Sequence, residues 1–531
     1  MIIKRFVGIT ETFNTHIREI GLSSVALILA AGVALFVTTT DNWPRTTELL
    51  VSMVIAGLIF IRPAIGLWLL LITLPFQQFF PIDIPIGRLT LPRSIVLVTM
   101  LTLIIHKLIV RPSHGRNFKT PFNRAILGLL IAWITSSFMS INIDPATQIQ
   151  VYIDPYQTHL ARQQPFIKSY TETISYLVSI SALYIMSSVL SSFKLVQSAI
   201  KFWIIGAVIA CLIGIYATLG YYYNLPVPEE VSNTYYLSDP RSLAEVSRVR
   251  SVASEPRYFT YYLITILPFL IVTGLYKQYI ISRRFHIGAL VLIGLSFWWT
   301  MSRSMIIMGF VAMVILPFIS IMIGSKMSHF NPVISLGKAI LYLFILLALA
   351  AGLLFIISGV NMKNTFYTLV ETINPYHRSV GSQLINNIVA LNLFLENPIL
   401  GVGIGNYVFF ANPSSIPAWS PFYHDISDTV VFVTNVYLQT LSEAGLVGMV
   451  ALLYLFGTIG LSAIRTIRMA KDERSNAMSV GLAGSFIMII VAVAFIPNFF
   501  NPETWVVLGF ISVMCRYARE EPCRSFGTTL P

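Results

Sequence analysis

Apolar residues in this chain neither alternate with polar ones, as on a half-buried strand, nor keep to one stripe of a helix; they run together in long blocks. A bilayer core about 30 Å thick needs roughly 20 such residues per helix, with about 17 to 25 tolerated. That ruler predicts spans near 21–40, 47–61, 64–80, 94–110, 124–142, 170–192, 202–221, 258–276, 286–301, 304–323, 339–360, 444–464, 477–497 and 503–516. The fold class is therefore an all-α integral membrane protein of about 14 transmembrane helices. The pairs flanking Arg62 and Ser302-Arg303 each read either as two short spans or as one long or re-entrant element.

Composition agrees with the pattern. The chain has 531 residues, 56% hydrophobic and 11% charged, against about 25% charged in a soluble protein, so charge is too scarce to coat a large soluble body. Lys and Arg number 35 against 23 Asp and Glu, a net of +12, and the placement of that charge matters more than its sign. With a cytoplasmic N-terminus, one set of connections gathers most of the basic residues, including Arg62, Lys107, Arg111, Arg116, Lys119 and Arg124. That bias predicts two cytoplasmic ends. Spread over many short loops, the basic residues do not make a nucleic-acid face. Cys211, Cys515 and Cys523 form no disulfide framework or CxxC spacing, and no metal site is expected.

The predicted organisation is a retained N-terminal tail (1–20), a membrane domain (21–360) with outer loops at 143–169 and 222–257, a long outer loop (361–443), C-terminal spans (444–516) and a cytoplasmic tail (517–531). The long loop contains an amphipathic stretch, GSQLINNIVALNLFLEN, followed by a glycine-rich turn. It reads as an ordered, partly helical lid over the outer face.

The candidate chemistry sits on that outer side. Arg303 lies between two apolar runs, where an Arg either needs an anionic partner or snorkels to headgroup phosphates. Arg241, Arg248, Arg250 and Arg257 precede the next long span to the N-terminal side of it. The planar fork of arginine makes bidentate contacts to phosphate, so arginines converging here suit a lipid-linked phosphate or diphosphate; solvated surface roles are the plain alternative. The long loop adds His377-Arg378 and the group His424, Asp425 and Asp428, in which a His beside carboxylates can serve as a general base. Gly401, Gly403 and Gly405 lack the context of a nucleotide loop and read better as a tight turn. Tyr235, Tyr236, Tyr407, Phe409, Trp419 and Tyr423 are aromatics for stacking on sugar faces or for an interfacial belt.

In order and spacing, four segments resemble the O-antigen ligase and O-antigen polymerase family of bacterial envelope glycosyltransferases. They are RVRSVASEPRYFTYYL, the span pair broken by TMSRSM, ALNLFLENPILGVGIGNY, and TNVYLQTLSEAGLVG. The resemblance implies a membrane glycosyltransferase C-like fold in the bacterial inner membrane, with its active site facing the periplasm. It implies a sugar chain on undecaprenyl diphosphate as donor, a glycan or glycolipid acceptor, no nucleotide sugar, no cofactor and no metal. It places a flippase and a chain-length regulator among the partners. On this resemblance Arg250 and Arg303 hold the diphosphate, Arg248 rivals Arg250, and Arg378 assists. Fixed guanidinium groups can stabilise the charge that grows on a lipid diphosphate leaving group.

In the ligases, a His followed by Asn, Ser or Gln stands nine residues before a GxxG. Here Thr434-Asn435 is followed after nine residues by Gly445-Leu446-Val447-Gly448. A threonine hydroxyl is no base at neutral pH, so His424 or one of Asp425, Asp428 and Glu443 serves instead, with His424 and Asp425 as the candidate catalytic pair, or the chain is not a ligase of that type. The reading leans to a polymerase of O-antigen, exopolysaccharide or capsule repeat units, with ligation to a lipid A core or protein as its nearest rival. A lipid-linked oligosaccharide flippase would need a polar pathway and usually internal repeats, neither of which the sequence displays. A non-catalytic scaffold of an export complex would tolerate loss of the outer arginines.

Overall fold

The computed structural model describes residues 53–77, 82–84, 87–110, 119–142, 165–228, 231, 236–238, 245–302, 308, 309, 311, 352, 378–410, 433–470, 472–497 and 499–524. These form α1 (Pro63–Thr73), β1 (Ile82–Ile84), β2 (Gly87–Leu89), α2 (Leu91–Ile105), α3 (Asn123–Ser137), α4 (Pro165–Val189) and α5 (Phe193–Tyr223). They continue as β3 (Tyr236–Ser238), β4 (Glu245–Ser247), α6 (Pro256–Leu275), α7 (Arg283–Trp299), α8 (Arg378–Glu396), α9 (Tyr407–Phe410), α10 (Val436–Met469), α11 (Glu473–Ala492) and α12 (Pro502–Arg524). The strands make two short antiparallel hairpins, β1 with β2 and β3 with β4.

Among the described residues, seven helices are long and apolar enough to cross a membrane, which makes this a membrane protein. Leu108, Ile131, Leu212, Val450, Leu453 and Leu461 are all exposed, an apolar belt that suits lipid and not water. The predicted span at 21–40, and most of those at 304–323 and 339–360, lie outside the described residues.

Where prediction and structure overlap, the ends differ for local reasons. At Arg62 the chain is extended (φ −136°, ψ 95°) and α1 restarts on Pro63, whose missing N–H suits a first helical turn. This segment is therefore two helices, not one. α5 begins nine residues before its predicted start because the Ser192 side chain caps it, accepting from Leu195 N at 3.4 Å. Its 31 residues make about 46 Å of helix, longer than the hydrocarbon core. α10 begins at Val436, eight residues before the predicted 444, because Asn435 Oδ1 accepts from Tyr437 N at 2.9 Å and Leu438 N at 3.2 Å. The polar first turns, VYLQTLSE, fall below a hydropathy ruler but are fully helical.

Aromatic and small residues pack the bundle. Trp203 lies 5.4 Å from Phe510 and 6.2 Å from Phe269 between ring centroids, and Trp133, Tyr176 and Phe500 form a second group 4.1–5.1 Å apart. Gly206 lets α5 approach α1 so closely that a Cβ there would sit 2.7 Å from the Ile72 carbonyl oxygen, whereas at Gly457 a Cβ meets nothing within 4 Å. Gly206→Ala is expected to destabilise the bundle by about 1–3 kcal/mol and Gly457→Ala to leave it unchanged. Thermal unfolding in detergent, followed through exposure of the buried thiols Cys211 and Cys515, checks the pair; equal midpoints for the two variants would contradict the close approach.

Side-chain bonds define two ends. At one, Gln77, Arg93, Ser254, Asn501 and Glu503 meet across α1, α2, α6 and α12. At the other, Arg516 donates to the Ser187 and Leu190 carbonyls, Arg474 to the Tyr279 carbonyl at 3.1 Å, and His106 Nε2 meets the Phe60 carbonyl at 2.8 Å.

Candidate functional site

The first end contains a helix broken and repaired. In α10, Gly445 adopts φ 63°, ψ −160°, a conformation open essentially to glycine alone. A break leaves carbonyls orphaned on one side and N–H groups on the other, and at bilayer depth each needs a partner within the protein. The turn at 398–403 supplies them. Val402 N donates to the Ser442 carbonyl (3.0 Å) and Gly403 N to that of Glu443 (2.9 Å), while Leu446 N and Val447 N donate to the Pro398 (2.8 Å) and Ile399 (3.2 Å) carbonyls. Ser136 Oγ on α3 adds a bond to the Glu443 carbonyl at 2.5 Å.

Gly401, Gly403 and Gly405 all have positive φ (67°, 98° and 73°). A Cβ on Gly401 would strike the Glu443 backbone, and one on Gly445 the Ile399 carbonyl. The glycine run is thus the plug of a discontinuous helix, consistent with the tight-turn reading. Gly448, next in the motif, faces Ala444 and Thr440 within α10.

The Glu443 side chain, 3% exposed, closes the turn from below. Its carboxylate accepts from Gly405 N, from Tyr407 N at 3.4 Å and from Gln439 Nε2 at 3.2 Å. Tyr407 OH reaches the Asn386 carbonyl (3.1 Å) and Oδ1 (3.2 Å) on α8; burial, then the Glu443 charge, pushes its pKa up, so it stays a donor. A small core of Ile385, Val389, Ala390, Leu393, Val402 and Tyr407 fixes the amphipathic helix to the turn. Tyr407 and Phe409, candidates for stacking on sugars, are both buried, and Tyr407 is spent on this packing.

The second pair of motifs also meets. Val249 N donates to the Trp299 carbonyl at 3.0 Å, Arg248 Nε to that of Thr300 at 3.2 Å, and Thr260 Oγ1 to Thr300 Oγ1 at 2.8 Å. The segment before α6 is thereby laced to the end of α7, three residues ahead of Arg303 in sequence. Positive φ at Ser251 (53°) and Met301 (42°), with Ser251 Oγ on the Ala210 carbonyl at 2.5 Å, keeps both segments out of regular helix. Arg250 is 7% exposed, with NH1 on the Ala253 carbonyl at 3.5 Å. Arg257 is ion-paired with Glu255 (2.6 Å).

Beside the turn stands Tyr176, hydrogen-bonded to Gln439 and flanked by the charges of Glu172, Glu443 and Arg93. Glu172 is paired with Lys168 at 3.5 Å. Arg93, Glu503, Gln77 and Asn501 were not among the sequence candidates: each stands at a helix end, where no motif marks it. Glu443, named only as an alternative base in the loop, proves to be the second turn of α10.

Arg303, His424, Asp425, Asp428, Tyr235, Trp419, Tyr423 and Arg241 lie outside the described residues. Arg378 opens α8, and Tyr236 belongs to β3. Comparison with protein-family models finds no match, and none is found among curated proteins.

Proposed function

We propose that the protein is a polyprenyl-diphosphate-dependent glycosyltransferase. In this reading it polymerises lipid-linked oligosaccharide repeat units at the outer face of a bacterial inner membrane. The observation that supports it best is a pairing: of the four segments resembling the ligase and polymerase family, the first two are hydrogen-bonded to each other and so are the last two, at the same end of the bundle.

Orientation follows from charge. Arg62, Lys107, Lys194, Lys277, Arg283 and Arg516 sit toward the opposite end, and the positive-inside bias makes that end cytoplasmic. The site then faces outward, where a lipid-linked donor rather than a nucleotide sugar is at hand. Arg250, buried at the helix ends, is suited to hold the diphosphate and to stabilise the charge that grows as the glycosyl bond breaks. Arg248 ties the segment to Thr300, which leaves Arg250 the better binding arm. Arg303 and Arg378 join it on the family resemblance. Glu443 is too enclosed to meet an acceptor hydroxyl and acts as the clamp of the turn, so the base is sought at His424 and Asp425. Thr434, at the position of the ligases' His, is 5% exposed, which favours polymerisation over ligation.

The test is glycan length in cells lacking the protein, complemented with wild type or Arg250→Ala at matched protein levels. Single repeat units in the deletion, and in Arg250→Ala, are expected. Long lipid-linked chains that persist unattached would make the protein a ligase; unchanged glycans with Arg250→Ala would remove Arg250 from the site.

A further inference from the structure

We propose that α8 is a membrane-surface helix: the apolar stripe on its outward side lies among the acyl chains of the leaflet next to the site, and the helix is not a lid standing in water. The inference goes beyond the proposed function and does not depend on it. At 3.6 residues per turn, Leu384, Ile388, Leu391 and Leu395 fall along one line of α8, on the side away from Val389 and Leu393, which pack in the small core with the turn. Leu384, Leu391 and Leu395 are exposed, Leu395 to 66%, and Ile388 is half-buried. Asn387 borders the stripe on one side and Asn392 on the other. α8 therefore has two apolar sides, of which the protein buries one. A surface helix in water turns a single apolar stripe to the core and polar residues elsewhere. A second stripe bounded by polar residues is the pattern of a helix at a lipid boundary.

What covers the stripe follows from where it leads. Four residues past Leu395, Ile399 is 66% exposed; its carbonyl accepts from Val447 N, and that of Pro398 from Leu446 N. Leu446 and Val447 are themselves exposed, and Val450, one turn further along α10, is 64% exposed. Val450 belongs to the apolar belt that meets lipid. The stripe of α8 thus leads through the plugging turn onto the lipid-facing side of α10, and lipid that covers Val450 continues onto Ile399 and Leu395. The plug also fixes the level of the helix. α8 ends at Glu396, two residues before Pro398, so the bonds that repair α10 hold the end of α8 beside Leu446.

Full-length protein in phosphatidylcholine nanodiscs tests this. The background is Cys523→Ser, in which the remaining thiols, Cys211 and Cys515, are buried. A bimane label placed by Leu391→Cys or Leu395→Cys is expected to be quenched by phosphatidylcholine carrying a nitroxide on its acyl chain about as strongly as one placed by Leu453→Cys in the belt. Aqueous iodide should quench the α8 labels several-fold less than a label placed by Arg284→Cys, an exposed position at the opposite end. In the wild-type protein, phosphatidylcholine with a diazirine in its acyl chain should label α8, read by peptide mass spectrometry, and this requires no variant to fold. Iodide quenching at positions 391 and 395 equal to that at 284, with none from the nitroxide lipid, overturns the inference and makes α8 a lid in water. Protection from both quenchers overturns it as well, because another segment of the chain or a second copy then covers the stripe. Diazirine labelling of α10 without any on α8 overturns it too.

Discussion

Gly445→Ala should prevent the protein from accumulating in a folded state. The Gly445 backbone lies at φ 63°, ψ −160°, a region L-residues occupy only under strain, at about 1–3 kcal/mol. The new methyl would also drive into the Ile399 carbonyl. Neither wall can yield cheaply. Ile399 is held by its own bond to Val447 N, and the neighbouring Pro398 by that to Leu446 N, so retreat of the turn breaks the bonds that repair α10. Strain and lost hydrogen bonds together amount to several kcal/mol, a large share of the roughly 5–15 kcal/mol that holds a typical protein folded. Gly457→Ala is the comparison, since a Cβ there meets nothing within 4 Å and its backbone is helical. Detergent-extracted yield and thermal midpoint are the readouts. A Gly445→Ala protein as abundant and stable as Gly457→Ala would mean that α10 runs unbroken and that the turn does not plug it.

The same residues show what a sequence discloses here. Blocks of apolar residues announce spans because lipid tolerates only backbone that satisfies itself, and α4, α6 and α11 lie close to where the ruler puts them. The amphipathic stretch at 381–397 became α8 at Arg378–Glu396 for a similarly local reason, a repeat that one small core could bury. Glu443 was harder to place. A window of hydropathy counts its carboxylate against a span, yet three donors, two of them from residues almost forty positions earlier, make it welcome inside a helix. Arg93 and Glu503 were invisible for the same cause: the contacts that join α2 to α12 span about four hundred residues, and no periodicity records them. The turn glycines were legible as a turn but not as a plug, because the break they fill lies at Gly445, forty residues on.

The Glu443 side chain itself should discriminate sharply between substitutions. Its carboxylate stands where Gly405 N, Tyr407 N and Gln439 Nε2 all point donors inward. Glu443→Gln keeps one carbonyl oxygen for the turn amides. Its NH2 would then face Gln439, which can rotate its own amide to present oxygen; Tyr176, a hydroxyl able to donate or accept, can follow. A modest loss of about 1–2 kcal/mol is expected, and on the proposed function long glycan chains are still made. Glu443→Lys offers those three donors a cation and no acceptor, in a buried site that also feels Lys168. An uncompensated buried charge costs roughly 3–5 kcal/mol, and each orphaned donor adds about 1–3 kcal/mol more. The turn would be expelled from the break in α10, and with it α8, which hangs on Tyr407. Complementation of the deletion by Glu443→Gln and its failure with Glu443→Lys, alongside a collapse in folded yield for Lys alone, is the expected outcome. Should both variants fold and only product be lost in both, the carboxylate would have to act on substrate directly, and the clamp described here would give way to a base.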